Sequence, residues 1–169
     1  MPREAAYDAP AIIASLQKHG VRFVVIGGVA AIAQGSPLPT EDLDVTPDRA
    51  PDNLQSLVAA LEDLGAQLRT ESGGVAFPID PKMLAGAEMW MLTTRAGDLD
   101  LVFEPPGTRG YDDLRRSAVE LDLGSGAPVL VAALPDVIRS KEASNREKDR
   151  VQLPALRRTL ELARRREGS

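Results

Sequence analysis

The sequence predicts an α+β domain: a mixed β-sheet with flanking helices and a helical C-terminal lobe. Three observations predict it. Apolar, β-branched runs alternate with helical periodicity between residues 9 and 64. Two strand-like runs, 88–94 and 98–104, are joined through Arg95-Ala96-Gly97. Helical patterns at 135–145 and 151–166 then close the chain. Early alternation, a hairpin and late helices together describe a mixed sheet covered by helices. We place the core at residues 1–134 and a helical segment packed on it at 135–169.

Residues 9–19 (APAIIASLQKH) form the first helix, with Asp8 as N-cap and Gly20 as its stop. His19 falls in its last turn, where a cation suits the helix dipole, so its role reads as structural. Residues 21–26 (VRFVVI) are β-branched and apolar and form a buried strand. Gly27-Gly28 and a short apolar helix, VAAIAQ, follow; a turn-rich stretch, GSPLPTE, leads to a second strand, DLDV. Residues 51–64 form a helix with Pro51 near its start and Leu54, Leu57, Val58, Leu61 and Leu64 on one face. Short strands are expected at 66–69 and 75–79, around Gly73-Gly74. Residues 88–104 form a β-hairpin ended by Pro105-Pro106-Gly107. Residues 110–120 read as a helix and 128–132 (PVLVA) as the last strand. A charged turn separates the two closing helices.

Bulk properties narrow the function. A chain of 169 residues buries a real core without staples. It has no cysteine, which excludes disulfides and thiolate zinc sites, and its single histidine excludes a histidine-rich metal site. There is no membrane-length apolar run and no signal-peptide pattern, so a soluble cytoplasmic protein is expected. Net charge is −5, but residues 139–168 hold ten Lys/Arg against five Asp/Glu. An acidic body with a basic end segment can attract a polyanion locally; a solvated helix face is the plain alternative.

The chemistry concentrates between Ile26 and Val45. A buried strand runs into Gly27-Gly28 and a helix begins at once, so the backbone can approach a phosphate and offer exposed N–H groups. Asp42 and Asp44 follow on a strand. Side chains at i and i+2 share a face, so the two carboxylates project together, ~6–7 Å apart, while Leu43 packs behind. Such a pair can share hard divalent cations, and two magnesium ions can hold a triphosphate. Alone, a Gly-Gly is ordinarily a tight turn and an Asp-x-Asp a solvated edge. In this order and spacing the combination is far more specific.

This block resembles the signature of the polymerase-beta-like nucleotidyltransferase superfamily: Gly-Gly or Gly-Ser, a short helix, then Asp-x-Asp on the next strand. Thr40-Glu41-Asp42-Leu43-Asp44 is most similar to the AbiEii/MenT-like branch. The resemblance spans roughly residues 21–160 and implies a nucleotidyltransferase-like sheet. It implies a third carboxylate on a later strand, and Asp100, before Leu101-Val102-Phe103, fits better than Asp98, which follows Gly97 directly. It also implies a helix lysine and a turn aspartate near the active site, here Lys141 and Asp149, with Arg146 and Lys148 between them. Lys141 would neutralise triphosphate charge, and Asp149 would orient it or cap the next helix.

The resemblance implies a magnesium-dependent enzyme with a two-metal site at Asp42, Asp44 and Asp100. Gly27, Gly28, Thr40 and Lys141 would bind a nucleoside triphosphate, the NMP donor. A phosphate on Thr40 would oppose nucleotide binding; a turn hydroxyl bonded to nearby backbone is the simpler role. The resemblance further implies the toxin of a toxin–antitoxin pair acting on the 3′ end of tRNA, with a cognate antitoxin as partner. Protein hydroxyls and small molecules such as aminoglycosides are alternative acceptors, and a catalytically silent nucleotide-binding regulator is the alternative to an enzyme. A dinucleotide-binding oxidoreductase is disfavoured, because no G-x-G-x-x-G follows the first strand. Trp90 and Tyr111 are scarce aromatics able to stack on a base, although Trp90 shares a strand face with Leu92.

Overall fold

The structure, a computed structural model, describes residues 6–168. Helix α1 (Ala9–Lys18) starts where the Asp8 carboxylate accepts the Ala11 N–H at 3.1 Å. Strand β1 (Phe23–Ile26) runs into helix α2 (Gly27–Ala33), which begins at the first glycine itself. Strand β2 (Asp42–Pro47) and helix α3 (Pro51–Asp63) follow. Buried Asn53 ties α3 to the entry of β1: its side chain accepts the Arg22 N–H at 2.7 Å and donates to the Arg22 and Asp48 carbonyls. Strand β3 (Gln67–Thr70), strand β4 (Gly73–Val75) and helix α4 (Pro81–Ala85) lead to the hairpin of β5 (Met89–Thr94) and β6 (Gly97–Val102). The chain ends with helix α5 (Tyr111–Leu114), strands β7 (Val119–Asp122) and β8 (Pro128–Val131), and helices α6 (Leu134–Ser144) and α7 (Glu147–Glu167).

The eight strands form one mixed sheet, ordered β4-β3-β5-β6-β2-β1-β8-β7. Strands β1 and β2 pair antiparallel, with Ile26 opposite Asp44. Strands β2 and β6 pair parallel, with Asp42 opposite Asp98 and Asp44 opposite Asp100. Strict alternation then sorts the residues. One face carries Leu43, Val45, Leu99 and Leu101, all fully buried. Ile12, Ile13 and Leu16 of α1 and Leu57 and Leu61 of α3 belong to the same core and are equally buried. Each such side chain contributes about 1.5–3 kcal/mol on burial. The other face carries Asp42, Asp44, Asp98 and Asp100. A one-residue slip of β6 would send its two aspartates into the leucine core, so packing specifies the register that assembles them.

Four expectations need correction. The helix expected at 110–120 is a single turn, α5, followed by β7. Only Leu114 of that turn is buried, whereas Val119 and Leu121 pair with Val131 and Val129 on β8. The strand expected at 75–79 lies at Gly73–Val75, and two prolines, Pro78 and Pro81, follow it. Helix α4 was not anticipated; the Asp80 carboxylate caps it by accepting the Met83 N–H at 2.8 Å, and Leu84 anchors it. The last helix starts at Glu147 rather than 151. The Asp149 carboxylate accepts the Arg146 N–H at 3.1 Å, which starts the helix early, and Pro154 is carried inside it. That proline leaves the Arg150 carbonyl without its helical donor.

Candidate active site

Asp42, Asp44 and Asp100 converge because two neighbouring strands present them on one face in register. One carboxylate oxygen from each lies within 4.8 Å of the others. In the metal-free protein, burial pushes the Asp44 carboxyl up to about 7, aided by the negative charges of Asp42 and Asp100. Burial also raises Asp100, against the pull of the Arg69 guanidinium. Three partly buried acids held this close repel one another, and a divalent cation relieves that repulsion. The donor set, hard oxygens without sulfur or imidazole, fits magnesium.

The two glycines are required for reasons the sequence did not disclose. Gly27 has φ +64°, and a Cβ there would collide with the Asp44 carboxylate. A Cβ on Gly28 would lie 2.8 Å from the Thr40 side chain. Gly27 thus lets Asp44 sit against the start of α2, whereas Gly28 makes room for Thr40. The Thr40 hydroxyl donates to the Asp42 carbonyl at 3.2 Å and lies 3.4 Å from its carboxylate, so it braces the first metal candidate.

A cavity of about 350 Å³ opens at Asp44 and Gly27, and Lys141, Arg146 and Asp149 share its lining. Asp149 is fully buried. Burial opposes its charge, yet hydrogen bonds from Arg146 and Ser144 hold its carboxyl down to about 2. Lys141 donates to Gln152 at 2.9 Å and stands 3.7 Å from Asp149. Its ammonium is pushed down by burial and pulled up by Asp149. Asp149 therefore both caps α7 and faces Lys141 within the cavity lining. Met89, Val102, Pro105 and Pro106 give the cavity an apolar wall, and Glu88, Glu104 and Asp136 give it an acidic one.

Asp98 does not join the three acids. It pairs at 2.9 Å with Arg69 of β3, whose other terminal nitrogen pairs with Asp100. Sequence reasoning missed Arg69. Its only signal was alternation in Gln67-Leu68-Arg69-Thr70, which puts Arg69 opposite in face to Leu68. Tyr7 was missed too: it packs against Gly97, and burial, then Asp42 and Asp44, push its phenol up to about 12.

Each aromatic singled out earlier has a neighbour on its ring. Trp90 stacks on Phe77 at 5.8 Å and donates to the Leu84 carbonyl at 3.1 Å. Tyr111 lies under the Arg115 guanidinium. His19 pairs with Asp63 at 3.3 Å, a structural contact. Among the described residues no helix is long and apolar enough to cross a membrane.

No family model matches the chain, and no curated protein matches it. Solved structures do. The chain is similar to the lincomycin-bound crystal structure of the lincosamide antibiotic adenylyltransferase LnuA, with a TM-score of 0.57 at 14% identity, covering 87% of this chain and 92% of that one. It is also similar to the antibiotic-resistance factor ANT(2'')-Ia in solution, with a TM-score of 0.46 at 16% identity over 94% of both chains. The complex of ANT(2'')-Ia with adenylyl-2''-tobramycin gives 0.46 at 16% identity, over 86% of this chain and 92% of that one. The match to LnuA establishes the architecture, and the chain has the nucleotidyltransferase fold.

Proposed function

We propose that the chain is a magnesium-dependent nucleotidyltransferase that moves a nucleoside monophosphate from a nucleoside triphosphate to an acceptor hydroxyl. The observation that carries this is the meeting of Asp42, Asp44 and Asp100 beside Gly27. Asp42, Asp44 and Asp100 would hold magnesium, which supplies charge neutralisation at the triphosphate oxygens. Gly27 and the first turn of α2 border the triphosphate. Lys141, drawn toward neutrality by burial yet kept charged by Asp149, faces the developing negative charge. The acceptor oxygen attacks the α-phosphorus, the bond to the β-phosphate oxygen breaks and pyrophosphate leaves. Asp100 receives the proton.

For the acceptor we favour the tRNA 3′ end, as expected of a toxin of the AbiEii/MenT-like branch held in check by an antitoxin. The support is α7, which starts at the cavity and carries Arg157, Arg158, Arg164, Arg165 and Arg166 away from it. At 1.5 Å per residue those side chains extend roughly 12–26 Å beyond Asp149, a path suited to a phosphate backbone. A small hydroxylated cation is the second reading. It is favoured by the acidic wall of Glu88, Glu104 and Asp136, and LnuA uses the same fold on a lincosamide antibiotic.

The test is incubation with each α-labelled triphosphate, total RNA and aminoglycosides, for the wild type and Asp42→Ala. Label on RNA supports the first acceptor, and label on the small molecule the second. Equal labelling by the mutant would overturn the enzyme reading.

A further inference from the structure

Arg69 reaches the three acids from a strand that is not their neighbour. Strand β5 lies between, with Gln67 opposite Thr93 and Leu68 opposite Leu92. The next step of that register sets Arg69 beside Met91, and Met91 is opposite Asp100. The side chain therefore lies along one row of the sheet and ends on Asp100, with Asp98 diagonally adjacent. The two contacts use different nitrogens: Nη1 meets Asp98 at 2.9 Å and Nη2 meets Asp100. Asp100 is the more enclosed partner, with 14% of its side chain exposed against 38% for Asp98.

We propose that Arg69 is the countercation of this site: it holds Asp100 while no metal is bound, and withdraws to Asp98 alone when a divalent cation loads. This rests on the reading of Asp42, Asp44 and Asp100 as metal ligands. A guanidinium and a divalent cation on one carboxylate repel each other strongly at these separations. The fork of arginine resolves the conflict, since Nη2 can leave Asp100 while Nη1 keeps its own partner. Asp98, outside the metal set, is then the residue that makes exchange affordable. Arg69 is a positioning residue that sets the metal concentration at which the site assembles, and Asp98 sets how readily Arg69 lets go.

The test is calorimetric titration of the full chain with Mn²⁺, without nucleotide, alongside thermal unfolding in chelator. Arg69→Gln is expected to bind Mn²⁺ about tenfold more tightly than wild type, the scale of groups that tune a metal ligand from outside, and to melt lower in chelator. Asp98→Asn is expected to bind about tenfold more weakly, because Arg69 then has only Asp100 to hold. In the Arg69→Gln background the same Asp98→Asn change is expected to do little. Equal weakening by Asp98→Asn in both backgrounds would reduce its effect to general electrostatics and overturn the exchange. So would unchanged or weaker binding by Arg69→Gln while the wild type binds. A folded wild type that binds no Mn²⁺ would instead remove the metal reading itself, a result separable from the first two. If Arg69→Gln does not fold, Arg69→Lys replaces it in both arms: a single ammonium does not bridge Asp98 and Asp100 as the fork does, so Mn²⁺ binding tighter than wild type supports the exchange and unchanged or weaker binding overturns it.

Discussion

The acidic face of the sheet has two unlike flanks. On the helical side, Lys141, Arg146 and Asp149 interlock at the α6–α7 junction, and the acid at the centre of that junction is fully buried. On the strand side, among the described residues, one guanidinium links two acids. Met89 and Met91, each about half exposed, cover β5, and Arg69 lies over the sheet to reach two acids. One flank is held by several mutually supporting bonds and the other by a single fork. On the proposed function a nucleoside triphosphate needs fixed positive charge, and the contrast suits donor binding on the helical flank, at Lys141.

The largest effect expected is loss of chemistry at the seam between the flanks. Asp42→Ala should lower turnover by roughly 10³-fold, measured with saturating magnesium and labelled triphosphate. Lys141→Gln should cost roughly 10²-fold in kcat, because the charge facing the triphosphate is lost. An unchanged kcat would remove Lys141 from the donor site. Next comes stability. Gly27→Ala must adopt φ +64° against Asp44, at a cost of about 1–3 kcal/mol, read by denaturant unfolding.

The helical flank also carries a pH signature. Asp149 has a folded-state value near 2, below the ordinary carboxylate value, so its stabilisation is complete above pH ~4. It is lost as pH falls through about 2, and Asp149→Asn should flatten that limb of an acid-unfolding curve. Asp44 has the opposite sign. Its raised value means the metal-free fold keeps a proton that the unfolded chain releases between pH ~4 and 7, so this group's contribution falls as pH rises. Metal must displace that proton, and affinity should weaken below about pH 7. The smallest effect belongs to the strand flank: Met91 is half exposed, and Met91→Ala should alter stability by under ~0.5 kcal/mol, read by denaturant unfolding.

Much of this was legible in the sequence, because local pattern and packing agree there. The continuous apolar run of β1, the alternation that opens β2, the leucine face of α3 and the 88–104 hairpin are each a local pattern. Asp42 and Asp44 share a face by strand geometry alone, and that parity could be read directly. Their meeting with Asp100 depends on β2 and β6 being neighbours, a long-range fact no local pattern contains. Arg69 was invisible for the same reason, since its partners lie two strands away. Residues 110–120 misled because a charged run, DDLRR, imitates helix pairing, whereas Val119 onward pairs with β8. Gly27 and Gly28 were recognised, but the contacts that require them come from Asp44 and Thr40, whose approach only the folded chain shows.

The parallel pairing of β2 with β6 has a temporal consequence. A nascent polypeptide that has emerged only as far as the hairpin turn already possesses Asp42 and Asp44, but nothing to complete them. The full ligand set arises only after β6 has docked beside β2, and the lysine arrives later still. On the proposed function, a form that stops before Asp100 lacks the third carboxylate, and metal uptake during synthesis would mark the moment the central sheet closes.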